Sequence, residues 1–283
     1  MTRVLMCPPT FFDIRYEINP WMSVQRNADR LAAQQQWMDL RQTLENALGA
    51  RVEAEDPVDG SPDMVFTANA GFVVGNTAVL SRFRHFERQP EEAYNRAWFQ
   101  AAGLTVLELP ASIRFEGEGD AFLADERILM GHGFRTEAGA AEALEKSIGM
   151  EVVPVELVDP WFYHLDTCLA PIGLGRALWY PEAFSAQAQR RIHGLFIELI
   201  PVPEDEARKL VCNAVSNGVD VAISAGCPVT AKRLDDHGYR VHPVELDQFL
   251  LAGGGAKCLT LFLERPAALE RNVSDLQQGR QVA

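Results

Sequence analysis

The sequence predicts an α/β protein made of five similar units that close into a ring. Five helical segments each stop at a glycine, and each is followed by a short segment rich in β-forming residues. The glycines lie 54, 46, 45 and 44 residues apart, a spacing typical of repeat proteins. They are Gly49, Gly103, Gly149, Gly194 and Gly238. A plain α/β protein also alternates helix and strand, but the even spacing favours a repeat, and five units are too few for an open solenoid.

Each unit is assigned a helix and a strand in order along the chain. Apolar residues at helical spacing predict helices over residues 23–48, 90–102, 137–148, 182–193 and 229–237. The strands predicted after them cover residues 52–54, 104–109, 150–155, 195–202 and 239–244, and a further strand covers 259–263. Four of the five strands reach a proline, which we interpret as the exit from each strand.

Composition excludes several classes of protein. The chain has 283 residues, 47% of them hydrophobic and 23% charged, which is typical of globular domains and not of disordered or fibrous chains. The net charge of −13 argues against nucleic acid as a partner, because binding a polyanion needs a basic surface. It is compatible with a cationic small molecule, although such a charge often serves only solubility.

Location is predicted to be cytoplasmic. No apolar run approaches the roughly 20 residues of a membrane span, and the start of the chain lacks the apolar region of a signal peptide. The five cysteines are scattered and show no zinc-binding spacing, so we expect free thiols in a reducing compartment. Nucleotide-binding and metal-binding motifs are missing from the sequence, which predicts neither a cofactor nor a metal.

Polar residues recur at a matching depth in the five units, 13 to 20 residues after each glycine. The segments begin or centre at Asp63, Glu116, His164, Asn213 and Cys258. In a closed ring, equivalent points of each unit face the central axis. We therefore expect a carboxylate, a histidine and a thiol from different units to meet there.

Cys258 is the strongest candidate for chemistry. It follows three glycines, which let the backbone approach a ligand, and Lys257, whose charge would favour a thiolate. A buried structural cysteine is the alternative, and we accept it for the other four. His164 and Asp166 form His-x-Asp and would share a face if the segment were a strand, which suits a general acid/base beside an anion. A core histidine is the alternative there.

Five further polar residues are ambiguous from their surroundings alone. Glu116 lies between glycines in a predicted tight turn, where an acidic surface turn is the simpler interpretation. The same holds for Asp63 and Asn69. Arg88 and Arg135 are predicted on loops, where each would either fork a carboxylate or be ordinary surface charge.

Taken together, these residues resemble the guanidine-modifying enzymes of the pentein superfamily, which include arginine deiminases, dimethylarginine dimethylaminohydrolases and amidinotransferases. Within them the chain is most similar to the arginine dihydrolase domain of cyanobacterial arginine-guanidine-removing enzymes. The segments that carry the resemblance are Met-Cys-Pro-Pro at 6–9, Ile-Asn-Pro-Trp-Met at 18–22, residues 63–71, 80–83 and 87–88, Phe-Glu-Gly-Glu-Gly-Asp at 115–120, and residues 162–168 and 253–261. The resemblance implies an α/β-propeller of five ββαβ units about a pseudo-fivefold axis.

The resemblance also implies one catalytic domain over residues 1–266, with a frayed tail over residues 267–283. The tail is too short for the ornithine-processing domain that some relatives carry. The implied partner is a small molecule, L-arginine or a substituted arginine, without nucleic acid or membrane. A homo-oligomer is left open.

The catalytic roles follow from the same resemblance. Cys258 matches the nucleophile and His164 the general acid/base. Glu116 matches the carboxylate that supports the histidine. The expected chemistry is thiolate attack on the guanidinium carbon, loss of ammonia and hydrolysis of the covalent intermediate.

The remaining roles concern substrate binding. Asp166 matches a residue that holds the guanidinium, and Asp63 matches one that binds the backbone end of the substrate. Arg88 and Arg135 match arginines that bind the α-carboxylate.

One position departs from the deiminase pattern. Deiminases carry a second guanidinium-binding aspartate where this chain has Asn69, and the dihydrolase group has asparagine both there and at Asn19. We therefore expect an arginine dihydrolase that yields ornithine, carbon dioxide and two ammonia. The alternatives are a one-step arginine deiminase or dimethylargininase that stops at citrulline, and an inactive ring used for binding.

Overall fold

The computed structural model describes residues 2–124 and 126–270. Within them, fifteen strands form five three-stranded sheets. The strands are β1 (Arg3–Met6), β2 (Arg51–Ala54), β3 (Gly71–Val74), β4 (Thr77–Leu80), β5 (Thr105–Glu108), β6 (Ala121–Ala124), β7 (Arg127–His132), β8 (Glu151–Glu156), β9 (Leu169–Gly173), β10 (Arg176–Trp179), β11 (Glu198–Pro201), β12 (Val215–Ser216), β13 (Asp220–Ser224), β14 (Arg240–Val244) and β15 (Leu261–Glu264). The α-helices are α1 (Arg30–Asn46), α2 (Glu91–Ala101), α3 (Ala140–Ile148), α4 (Ala186–His193), α5 (Glu204–Ala207), α6 (Pro228–Asp236), α7 (Asp247–Leu250) and α8 (Ala267–Glu270).

Every sheet has the same connectivity, which confirms the five repeated units. An antiparallel pair is followed by a helix and then by a third strand parallel to the second, as in β3, β4, α2 and β5. The parallel pair needs a crossover, and the helix supplies it. In the last unit β15 pairs antiparallel with β1, and β1 pairs parallel with β2. This sheet therefore joins the two ends of the described chain.

The helices lie where the glycine pattern predicts them, with some later starts. The first begins at Arg30 and not at residue 23, because the Asp29 side chain accepts hydrogen bonds from the backbone N–H groups of Leu31 and Ala32 and caps the helix there. Four of the five predicted stop glycines adopt a positive φ angle, and Gly194 is the exception with a φ of −80°.

The interpretation of proline as a strand exit is wrong for two units. Pro154 lies inside β8 and Pro243 inside β14. Both strands are the outer, parallel strands of their sheets. An edge strand tolerates proline because its outward N–H has no ladder partner to lose.

The predicted polar segments occupy equivalent places, each just before the first strand of its unit. Three of them form 3₁₀ turns, as in Pro62–Val65, Gly117–Gly119 and Leu165–Thr167. His164 and Asp166 therefore do not lie on a strand. These turns and the segment around Cys258 are buried. The repeat thus delivers polar side chains to one interior region.

The start of the predicted tail is ordered. Residues Ala267–Glu270, expected to be part of a frayed tail, form a short helix after Pro266, a residue suited to a helix start. The rest of the predicted tail, 271–283, lies outside the described residues.

Among the described helices, none combines the length and the apolar character that a membrane crossing requires.

Candidate active site

The predicted nucleophile, Cys258, lies in a network of three side chains from three units. Its Sγ lies 3.1 Å from Oδ2 of Asp166 and 3.1 Å from Nδ2 of Asn213. The Asn213 amide also accepts from the backbone N–H of Cys258 at 3.0 Å and donates to the backbone carbonyl of Asp166 at 3.0 Å. Asn213 therefore fixes both the thiol and its carboxylate neighbour.

The surroundings of Cys258 favour the thiol over the thiolate. Burial raises its pKa well above the ordinary cysteine value, and the Asp166 carboxylate raises it further. Lys257, expected to favour a thiolate, instead directs its ammonium to Glu118 at 2.8 Å and to the carbonyl of Thr260 at 2.9 Å. The positive charge of Lys257, which we expected to stabilise the thiolate of Cys258, thus forms an ion pair with Glu118.

The predicted acid/base pair is assembled as a buried ion-paired group. Nε2 of His164 lies 2.8 Å from Oε2 of Glu116, and Nη1 of Arg135 lies 3.0 Å from the same oxygen. Burial opposes ionisation of Glu116, but Arg135 and then His164 outweigh it, so the pKa of this carboxyl falls well below its usual range. An ionised Glu116 is a hydrogen-bond acceptor that orients the imidazole of His164.

A second carboxyl lies beside the imidazole. Oδ2 of Asp120 is 3.8 Å from Nε2 of His164, and its Oδ1 accepts from the backbone N–H of Leu165 at 3.0 Å. Burial raises the pKa of Asp120 to about 6, against the opposing effect of His164.

Three of the buried carboxylate oxygens that make no hydrogen bond within the described residues belong to residues of this region. They are Oδ1 of Asp63, Oδ2 of Asp120 and Oδ1 of Asp166. Asp63 also accepts from the hydroxyl of Tyr16 at 3.0 Å, and burial raises its pKa. Burial likewise raises the pKa of Asp166 to about 6. An unpaired buried acceptor is costly, so these oxygens are suited to the N–H donors of a bound cation.

The two predicted carboxylate-binding arginines differ in the structure. Arg88 is buried and donates to both carboxylate oxygens of Glu91, to Oδ1 of Asn69 and to the carbonyl of Asp63. Four of its N–H groups are therefore engaged inside the protein. Arg135 donates to Glu116 and to the carbonyl of Ile18 at 3.0 Å.

The two predicted asparagines also have internal partners. Nδ2 of Asn69 donates to the carbonyl of Glu116 at 3.2 Å. Asn19 accepts from the backbone N–H of Trp21 at 2.9 Å and donates to the carbonyl of Ala252 at 3.0 Å. Asn19 therefore fastens the 18–22 loop to the glycine segment that precedes Cys258.

Four residues that contact the predicted site residues were not predicted from the sequence to have a role. Asn213 appeared only as a polar residue at the repeat depth, and that spacing was the signal for it. Asp120 ends the Glu-Gly-x-Gly-Asp turn, but nothing local placed it beside His164. Tyr16 gave no signal, because its partner Asp63 is 47 residues away along the chain. Glu91 lies only three residues from its partner Arg88, but nothing local marked it as different from an ordinary acid at the start of a helix. Within the described residues, no three His, Cys, Asp or Glu side chains are grouped as a metal ion would require.

Known proteins resemble this chain over most of its length. A family model described as N,N dimethylarginine dimethylhydrolase, eukaryotic, matches residues 25–264. The bifunctional arginine dihydrolase/ornithine cyclodeaminase ArgZ of Synechocystis sp. is 43% identical over 93% of this chain and 38% of its own. The N(G),N(G)-dimethylarginine dimethylaminohydrolase of Mycobacterium tuberculosis is 41% identical over 92% of this chain and 85% of its own.

A solved structure gives the same relationship. The N-terminal domain of ArgZ, as a cysteine-to-serine mutant bound to substrate, matches with a TM-score of 0.90 and 42% identity, over 94% of this chain and 99% of that one. This chain spans about two fifths of the length of the bifunctional relatives from Synechocystis and Nostoc. The family model and the mycobacterial relative each match most of the chain. The protein therefore belongs to the dimethylarginine dimethylhydrolase family.

Proposed function

We propose that this chain is an arginine dihydrolase that converts L-arginine and two waters into ornithine, carbon dioxide and two ammonia. The observation that carries the proposal is a buried thiol 3.1 Å from Asp166, a carboxylate on the turn that begins just after His164. The imidazole of His164 is paired with Glu116, and carboxylate oxygens without a hydrogen-bond partner are present on Asp63 and Asp166. Such a site suits covalent catalysis on a cationic group. The likeness to a bifunctional arginine dihydrolase from Synechocystis supports the choice of reaction.

The substrate's guanidinium is expected to bind beside Cys258. Asp166, with one oxygen on Sγ and the other unpartnered, accepts the guanidinium N–H groups. Asp63 has its own free oxygen for the α-ammonium group. Arg135 is the cation available for the α-carboxylate.

Binding of the cation also activates the nucleophile. Burial and Asp166 hold the free thiol protonated, and a guanidinium placed against Sγ shifts this balance toward the thiolate. Cys258 therefore becomes nucleophilic when a cationic substrate binds. The thiolate then attacks the guanidinium carbon to form a C–S bond.

His164 moves the protons in two successive cycles. In the first it donates a proton to the departing nitrogen, so that ammonia leaves, and then takes one from the water that cleaves the C–S bond. The result is the ureido group of citrulline. In the second cycle Cys258 attacks the ureido carbon and a second ammonia leaves. A second water then cleaves the C–S bond and gives the carbamate of ornithine, which takes up one proton as it decomposes to ornithine and carbon dioxide.

A neutral ureido group presents a carbonyl that needs a hydrogen-bond donor. Asn69 has its oxygen occupied by Arg88 and its amino group beside the His164 ring, so it is placed to offer a donor. An aspartate at this position would offer only acceptors when ionised. We infer that Asn69 supports retention and second attack on the ureido intermediate.

A one-step hydrolase is the second candidate. The family model and the mycobacterial relative are both described as acting on dimethylarginine. Such an enzyme would use the same thiol and histidine but release citrulline after one cycle. Quantifying ornithine and citrulline formed from L-arginine by the purified protein separates the two candidates.

We further propose a single catalytic domain over residues 1–266, arranged as a closed ring. The pairing of β15 with β1 supports this, because it ties the last described strand to the first. The five cysteines are free and buried, which supports the predicted cytoplasmic location. Neither a metal nor a cofactor is needed for the steps described, because the thiol and the histidine supply the nucleophile and the protons.

A further inference from the structure

The amide of Asn69 is held between two partners of opposite character. Nη1 of Arg88 donates to its Oδ1 at 2.8 Å, and the carbonyl oxygen of Glu116 accepts from its Nδ2 at 3.2 Å. A guanidinium only donates and a carbonyl only accepts, so these partners allow one orientation of the amide. The amino end of Asn69 is therefore directed away from Arg88.

Gly119 makes room for that amino end. A Cβ atom built on Gly119 would overlap Nδ2 of Asn69 and would lie 3.2 Å from Nδ1 of His164. The amino group therefore packs on the bare backbone of Gly119, beside the catalytic imidazole. This is the side on which the ureido group is proposed to react.

Glu91 in turn holds Arg88. This residue is the first of α2, it is 1% exposed, and its two oxygens accept from Nε and Nη2 of Arg88 at 2.9 and 2.8 Å. The ring of Phe83 lies 4.5 Å from the guanidinium carbon. A bidentate pair fixes the plane of the guanidinium, so it also fixes where Nη1 points.

We propose that Glu91 and Arg88 are positioning residues that hold the amino group of Asn69 toward the reacting carbon, and so decide whether the ureido intermediate is processed a second time. This inference rests on the proposed dihydrolase function. The chain of contacts runs from the start of α2 through Arg88 to Asn69 and Glu116. Glu91 acts only through Arg88, so its loss should affect the second cycle more than the first.

The test is the ornithine-to-citrulline ratio of Glu91→Gln with L-arginine. Glutamine keeps the size of the side chain, but its amino group faces the donors of Arg88 and the fork is lost. We expect the ratio to fall about tenfold, while loss of arginine slows by less than about threefold. Glu142→Gln is the matched control, because Glu142 is also a first-turn acid paired with a cation but lies on the surface. It should leave the ratio unchanged.

A double mutant separates positioning from general damage. The carboxylate of Asn69→Asp has two equivalent oxygens, so the orientation that Glu91 enforces no longer matters. Adding Glu91→Gln to Asn69→Asp should therefore leave the ratio of that single mutant unchanged, and a further fall would mean that Glu91 has only a structural role. If Glu91→Gln does not fold, Arg88→Lys, which cannot fork, gives the same comparison.

The outcomes also separate this inference from the proposed function. Wild-type protein that yields only citrulline overturns the dihydrolase function itself. Wild-type protein that yields ornithine, with an unchanged ratio in folded Glu91→Gln or Arg88→Lys, overturns the positioning role alone.

Discussion

The Sγ atom of Cys258 lies 3.1 Å from Oδ2 of Asp166, so the proposed nucleophile and the carboxylate proposed to receive the substrate's cation are direct neighbours. Both groups are buried, with 2% and 0% of their surface exposed. Burial raises the pKa of the Cys258 thiol, and the contact with Asp166 raises it further. A guanidinium bound to Asp166 would oppose both effects, and in the proposed mechanism this couples recognition of positive charge to activation of the sulfur.

Replacing Cys258 with serine should abolish turnover while the protein stays folded. A hydroxyl is far less nucleophilic than a thiolate near neutral pH, so we expect arginine consumption to fall by at least about 1,000-fold. Cys227→Ser is the control, because the thiol of this buried cysteine makes its hydrogen bond within the described residues to the carbonyl of Ala225, at 3.7 Å, and to no residue of the site. Retention of a tenth of the activity by Cys258→Ser would rule out the covalent mechanism.

Arg135→Ala should impair both binding and chemistry. The residue is the cation proposed for the α-carboxylate, and it also keeps Glu116 ionised. We expect a higher KM for arginine and a lower kcat, with a combined loss of roughly 1.5–3 kcal/mol in kcat/KM. The exposed Arg190→Ala should behave as wild type. Agmatine, which lacks the α-carboxylate, should be a poor substrate of the wild type, and equal turnover of agmatine and arginine would contradict the role of Arg135.

Asn69→Asp should convert the enzyme toward a one-step hydrolase. The aspartate keeps an acceptor for Arg88 but loses the amino group that donates to the carbonyl of Glu116 and that we propose also binds the ureido group. We expect citrulline to become the main product, as measured by chromatography of the amino acids. If the mutant yields the same ornithine-to-citrulline ratio as wild type, the second cycle has another cause.

Glu55 should make the protein less stable as the pH rises. Burial, with help from Glu91, raises the pKa of this carboxyl to about 8, so the folded protein holds the proton that the unfolded chain releases. The contribution of Glu55 to the free energy of unfolding is therefore constant below about pH 4.5. Between about pH 4.5 and about pH 8 the free energy of unfolding decreases, by at most ~1.4 kcal/mol per pH unit.

Glu55→Gln removes this titration. The Tm of the variant relative to wild type should increase steadily from pH 5 to pH 8, as thermal unfolding at a series of pH values would show. A difference in Tm that is independent of pH would mean that Glu55 titrates normally.

The helices and strands of the repeated units were predictable because they depend on residues that are close together in the sequence. Helix stops at glycine and β-rich segments recur at even spacing, and all five predicted units are present. The prolines inside β8 and β14 were misjudged because sequence alone does not tell an edge strand from the end of a strand.

The site was predictable only in part. Cys258, His164 and Glu116 stood out through glycine neighbours, the repeat depth and a family resemblance. The Lys257–Glu118 and Arg88–Asn69 contacts could not be read from the sequence, because their partners are 139 and 19 residues apart along the chain. A charge next to a nucleophile in sequence is thus no guide to where its side chain points.

The stoichiometry of products from L-arginine tests the central claim most directly. Purified protein would be given arginine labelled with ¹³C at the guanidino carbon, and amino acids, ammonia and carbon dioxide would be quantified by mass spectrometry and enzymatic assay. The dihydrolase account predicts one ornithine, two ammonia and one labelled carbon dioxide for each arginine consumed, with little free citrulline. Accumulation of one labelled citrulline and one ammonia for each arginine would contradict it.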